Sequence, residues 1–68
     1  MSATINVKKL RESLQLSQSA FAKRYGVSLR TLMDWEQGRS SPDTAAQALL
    51  KVISHAPDTV VEALKTAS

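Results

Sequence analysis

Apolar side chains recur along this chain at intervals of three and four, and no stretch of four residues alternates cleanly between apolar and polar. That pattern predicts helices and no strands. Val7, Leu10 and Leu14 mark a first helix that Asn6 can cap and that the pair "QL" interrupts. Ser17 caps a second helix, about 18–25, with Phe21, Ala22 and Tyr25 at inward spacing and Gly26 as its left-handed stop. Ser28 caps a third, about 29–37, which ends at Gly38. After the loop "RSSP", Ser41 is the expected cap of a fourth helix, with Pro42 in its first turn and Ala45, Leu49, Val52, Ile53 and Ala56 as its apolar positions. Pro57 closes it, and "DTVVEALK" forms a fifth with Val60, Val61 and Leu64. The expectation is an all-α, five-helix single domain over residues 1–68. Its expected core is Val7, Leu10, Leu14, Phe21, Ala22, Val27, Leu32, Trp35, Leu49 and Ile53.

A chain of 68 residues has room for one modest core. With no cysteine, disulfide staples and Cys-rich zinc sites are excluded. No apolar run approaches the roughly 20 residues of a spanning helix, and the opening "MSATINVKK" lacks the apolar block of a signal peptide. A soluble, cytoplasmic chain without a membrane partner is therefore expected. The net charge of +3 is unevenly placed. Through Arg39 the cations Lys8, Lys9, Arg11, Lys23, Arg24, Arg30 and Arg39 outnumber Glu12, Asp34 and Glu36 to give +4, while the remainder carries −1. The basic half is the candidate surface for a polyanion. His55 stands without partners of metal-ligand type, and no Ser/His/Asp set, paired carboxylates or glycine-rich phosphate loop can be assembled. Neither an enzyme nor a metal or other cofactor is expected.

The join between the second and third helices is the informative feature. Only "GVS" separates them, so they must cross steeply, and a steep crossing needs a small residue where the helices touch. Ala22 is that residue. From Gln18 the intervals to Ala22, Gly26, Val27, Leu32 and Trp35 are 4, 8, 9, 14 and 17. Through "LSQSAFAKRYGVSLRTLMDWEQGRSSP" the chain resembles the DNA-binding helix-turn-helix, and more narrowly the Xre family of lambda-repressor-like domains.

The resemblance implies that the third helix is a recognition helix whose N-terminal half enters the major groove of double-stranded DNA. Leu32 and Trp35 lie together on one side of that helix, and Arg30, Met33, Asp34 and Gln37 follow the i, i+3, i+4, i+7 stripe on the other. Base readout is then expected from Leu29, Arg30, Met33 and Asp34. Arg30 can offer a fork to guanine, Leu29 a contact to a thymine methyl, and Asp34 an acceptor for a cytosine amino group or for Arg30 itself. The bland alternative for the stripe is a solvated face. The Gln18 position meets the phosphate backbone in this family, although a capping role beside Ser17 would explain it as well. Ser28, Thr31, Arg39, Ser40 and Ser41 are further candidate phosphate contacts. Arg11 and Glu36 match a partly buried ion pair that ties the first helix to the third in the family, and Trp35 reads as core rather than as a base-stacking ring.

One reading is therefore a sequence-specific regulator, a repressor bound as a symmetric homodimer to a palindromic operator. The last helix would supply the dimer contacts through Val60, Val61 and Leu64, unless these pack only within one chain. The tail "SPDTAAQALLKVISHAPDTVVEALK" is also similar to that of HigA-like antitoxins, which implies a toxin protein as a further partner. Those relatives often carry an additional segment before the domain, whereas about six residues precede the first helix here. A phage-type, Cro-like repressor is the competing identity.

Overall fold

In the computed structural model of the protein, residues 5–66 are described. Residues 1–4, the first part of the stretch "MSATINVKK" inspected for a signal segment, and residues 67–68 lie outside them. The described residues form five helices and no strand: α1 Val7–Ser13, α2 Gln18–Tyr25, α3 Leu29–Gln37, α4 Thr44–His55 and α5 Pro57–Thr66. None is long and apolar enough to cross a membrane.

Each of the first four helices starts at a side-chain oxygen that accepts one of the amides left without a partner in the first turn. Asn6 Oδ1 takes the N–H of Lys9 at 2.9 Å, Ser17 Oγ that of Ala20 at 3.0 Å, and Ser28 Oγ that of Thr31 at 3.4 Å. The fourth cap differs from the expectation. Asp43 Oδ1, not Ser41, accepts from Ala46 N at 2.8 Å, and α4 begins at Thr44, so Pro42 stands before the helix instead of in its first turn. A carboxylate suits the positive end of the helix better than a hydroxyl does. Pro42 is buried there, and its carbonyl accepts from Gln47 Nε2 at 2.9 Å.

The first three helices end alike. In each, one residue turns left-handed, and the amide after it reaches back to a carbonyl five residues earlier: Leu16 N to Arg11 O at 3.3 Å, Val27 N to Ala22 O at 3.0 Å, Arg39 N to Asp34 O at 2.9 Å. Gly26 and Gly38 turn the second and third, at φ 70° and 78°. At the first turn the residue is Gln15, at φ 60°, where a side chain costs about 1–2 kcal/mol over glycine. Sequence inspection places the stop at "QL" correctly but gives no sign of its geometry, because the residue that makes the turn is not a glycine.

The core gathers Val7 and Leu10 of α1, Phe21, Ala22 and Tyr25 of α2, Leu32 of α3, Leu50 and Ile53 of α4, and Val60 of α5. Leu14, Val27, Trp35 and Leu49, expected inside, are only partly buried and pack against its edge. Helix α4 is rotated relative to the expected face. Ala46, Leu49, Leu50 and Ile53 form its inward stripe, whereas Ala45 is exposed and Val52 is 50% exposed. The apolar residues of "AAQALLKVI" admit two overlapping stripes, and periodicity alone does not choose between them. Tyr25 wedges α2 against α5. Its ring lies 4.9 Å from that of Phe21, and its hydroxyl donates to the Pro57 carbonyl at 3.5 Å. Burial pushes the phenol above its ordinary pKa.

These assignments are separable by mutation. Leu50→Ala should destabilise the domain by about 2–5 kcal/mol, and Val52→Ala by less than about 0.5 kcal/mol, in chemical denaturation. Equal losses would mean that α4 packs on the other stripe.

Candidate nucleic-acid interface

Two helices and the turn between them place the candidate residues. Helix α2 ends in the left-handed Gly26, Val27 turns inward against the core, and Ser28 starts α3 at once. Ala22, almost fully buried, leaves room for the two helices to approach. Leu32 is fully buried on the inner side of α3. The outer side therefore faces solvent along its length, with Leu29 and Arg30 exposed and Met33 half-buried.

The pitch of α3 is held by a guanidinium fork. Arg11 Nε donates to Glu36 Oε2 at 2.7 Å and Arg11 Nη2 to Glu36 Oε1 at 2.9 Å, so one planar cation grips both oxygens of one carboxylate. The third Arg11 bond, from Nη1, goes to the Leu16 carbonyl at 2.9 Å. That bond answers the one from Leu16 N to Arg11 O and clasps the turn between α1 and α2 from both sides. Gln18, the first residue of α2, donates from Nε2 to Glu36 Oε1 at 3.2 Å. Three helices thus meet on a carboxylate whose side chain is 5% exposed. The Arg11 hydrogen bonds hold the Glu36 carboxyl below the usual carboxylate range against the opposing effect of burial, with a smaller contribution from Gln18. The same pairing raises the pKa of Arg11 further.

On the exposed side of α3 a second carboxylate serves two arginines. Asp34 Oδ1 lies 3.4 Å from Arg30 Nε, one turn earlier, and 3.8 Å from Arg39 Nη1. Arg39 reaches it because the left-handed Gly38 folds the chain back over the end of α3. The Arg30 and Arg39 side chains are 77% and 63% exposed, and that of Asp34 is 24% exposed. The cations are thus largely open to solvent, and the anion is partly covered.

The other candidates are distributed as follows. Ser28 is exposed with its oxygen used in the cap, and Thr31 beside it is half-buried. Ser40 and Ser41 are exposed in the loop after Arg39. Half-buried Trp35 lines a crevice with Val7, Lys8 and Pro42, away from the Arg30 stripe. Of the three residues expected at a dimer contact, Val60 is 7% exposed and packs in the core of its own chain, the alternative that the sequence left open. Val61 is half-buried and Leu64 is 42% exposed. With Ala20 they line a groove between α2 and α5 that is rimmed by Lys23, Arg24 and Lys65. The sequence places Lys23 and Arg24 in its basic half, and the α2–α5 packing brings them to this groove beside Leu64.

Known proteins are similar to this chain in sequence and fold. A family model described as helix-turn-helix matches residues 7–53. A crystal structure of an HTH XRE-family like protein from Agrobacterium tumefaciens superposes with a TM-score of 0.85 at 47% identity, over 87% of this chain and 95% of that one. Antitoxin HigA-2 of Vibrio cholerae serotype O1 is 43% identical over 51 residues, which are 75% of this chain. The chain spans about half the length of that curated relative, 49%.

The clamp makes a pH prediction. Because the folded-state pKa of Glu36 is depressed, its contribution to stability is complete above the ordinary carboxylate pKa and is lost as pH falls below it towards the folded value. Unfolding free energy should therefore drop on acidification below about pH 5. Glu36→Gln should cost on the order of 2 kcal/mol at neutral pH, because Arg11 loses its charged partner, and should flatten the acid limb. Urea titrations of both proteins across the acid range check this, and an acid limb unchanged in the variant would contradict it.

Proposed function

We propose that this chain, which belongs to the Xre-type helix-turn-helix family, is a sequence-specific regulator that inserts the N-terminal half of α3 into the major groove of double-stranded DNA and represses transcription by occupying an operator. The observation that carries the reading is the outer face of α3. Leu29, Arg30 and Met33 stand on a helix whose other side is locked by Leu32 and by Glu36, and a rigid helix bearing an exposed arginine in its first turn is what base readout requires. Gln18 stands at the start of α2, held by Glu36 in the same network, so the backbone contact and the reading helix share one anchor. Arg39, with Ser40 and Ser41, supplies cationic and hydroxyl groups for phosphate beyond the end of the helix. Ser28 and Thr31 do so at its start.

Specific binding is expected to be dimeric, since one domain of this size touches few bases and a two-fold pair doubles the footprint, with half-site centres about 34 Å apart. Exposed Leu64 and half-buried Val61 on α5 support that surface as the contact. A second reading, antitoxin activity through a toxin protein partner, is favoured by the likeness to HigA-2 and rests on the half of that protein that the chain matches.

The test is duplex selection followed by titration. Arg30→Ala should lose roughly 1–3 kcal/mol on the selected site and flatten discrimination at one position per half-site, whereas Gln18→Ala should weaken all duplexes by one factor and leave the preferred sequence unchanged. An Arg30→Ala protein with its base preference intact would remove α3 from the reading role. For the assembly, Leu64→Asp should shift the protein from dimer to monomer in light scattering and weaken operator binding; a variant that keeps the parent mass and affinity would rule out α5 as the contact. Suppression of growth arrest when the chain is co-expressed with an adjacent toxin gene would support the antitoxin reading, and unrelieved arrest would count against it.

A further inference from the structure

On the exposed face of α3 a carboxylate is the wrong charge for a surface that meets phosphates. Glu36 is turned inward and spent on Arg11. Asp34 is different: it lies on the reading side, and among the described residues its side-chain partners are two arginines that are themselves mostly exposed. One of these, Arg30, is assigned to a base, and the other, Arg39, to a phosphate. From this geometry we infer that Asp34 is a specificity-determining residue that couples the base contact of Arg30 to the backbone contact of Arg39 by holding both cations on one oxygen. The inference rests on the reading of α3 as the DNA-reading helix.

The coupling follows from the charges. Both ion pairs are solvent-exposed and long, at 3.4 and 3.8 Å, so each is weak and readily exchanged for a better acceptor. A phosphate is such an acceptor for Arg39, and guanine O6 and N7 for Arg30. If Arg39 alone leaves for a phosphate, Asp34 keeps Arg30 and remains neutralised. If Arg30 leaves as well, the carboxylate is stranded beside DNA unless a base amino group donates to it. Release of both arginines is therefore favourable where guanine receives Arg30, and unfavourable where no base does. On an unselected sequence Arg30 stays with Asp34, and its charge is withheld from the polyanion. Asp34 thus lowers affinity for random DNA and widens the gap to the preferred site, which is specificity obtained by a repulsive element.

The experiment uses the full chain on its selected duplex and on a random duplex over a range of salt. Asp34→Asn removes the charge at nearly constant shape, and the backbone carbonyl that accepts from Arg39 N is untouched, so the variant should melt with the parent. Its affinity for random DNA should rise about fivefold, the equivalent of one exposed ion pair at its upper strength. The magnitude of its salt slope there should grow by about one unit. With binding to the selected duplex unchanged, the ratio of selected to random binding should fall by the same factor, about fivefold. A double-mutant cycle supplies the readout that a merely structural role would not move. Losses from Arg30→Ala and Arg39→Ala should be non-additive in the parent and additive in the Asp34→Asn background. The inference is overturned if Asp34→Asn changes both duplexes by the same factor, or if the coupling survives without the carboxylate. Loss of α3 as the reading helix looks different, because the parent would then show no base preference that Arg30→Ala abolishes.

Discussion

The bidentate contact between Arg11 and Glu36 is the interaction on which the rest of the arrangement depends. A helix of nine residues with one fully buried side chain, Leu32, is poorly fixed against rotation by apolar packing alone. The guanidinium fork removes that freedom, because two parallel bonds from a planar cation define an orientation as well as a distance. The same cation ties the turn into α2 through the Leu16 carbonyl, and the same carboxylate receives Gln18. One buried pair therefore positions the start of α2 and the face of α3 together. Buried pairs are costly to desolvate and often add little net stability, so geometry is the better explanation for keeping one here.

What lies around the clamp is economical. Left-handed stops let three short helices turn sharply without long loops, and side-chain caps satisfy the amides that such short helices leave open. The compact join of α2 to α3 leaves the outer face of α3 free, while α4 and α5 complete the core from behind through Leu50, Ile53 and Val60. Firm packing and the clamp support one side of α3, and the other side presents exposed arginines.

Much of this was legible in the residues because the signals are local. Asn6, Ser17, Ser28, Gly26 and Gly38 mark helix ends by their own chemistry, and the spacing from Gln18 to Trp35 carries the helix-turn-helix resemblance, which implied the pairing of Arg11 with Glu36 that the structure forms. Where the signal was tertiary, the reading slipped. The face of α4 was ambiguous until packing selected Leu50 over Val52, and the cap moved from Ser41 to Asp43 because both residues are good acceptors two positions apart. Val60 and Val61 are neighbours on α5, and only the docking of α5 against α2 decides which one is inside. Asp34 could be seen as a neighbour of Arg30 one turn away. Its second arginine could not, since Arg39 reaches it only after the chain folds back at Gly38.

The central claim is that the outer face of α3 and the first turn of α2 form one DNA-reading surface, presented by the Arg11–Glu36 clamp. Its most direct test is an amide NMR titration of isotope-labelled protein with the selected duplex. The account expects the largest shifts at Ser17 to Ala20, at Ser28 to Asp34 and at Arg39 to Ser41, with the inward residues of α4 little affected. Shifts concentrated on α4 and α5, with α3 unperturbed, would contradict it.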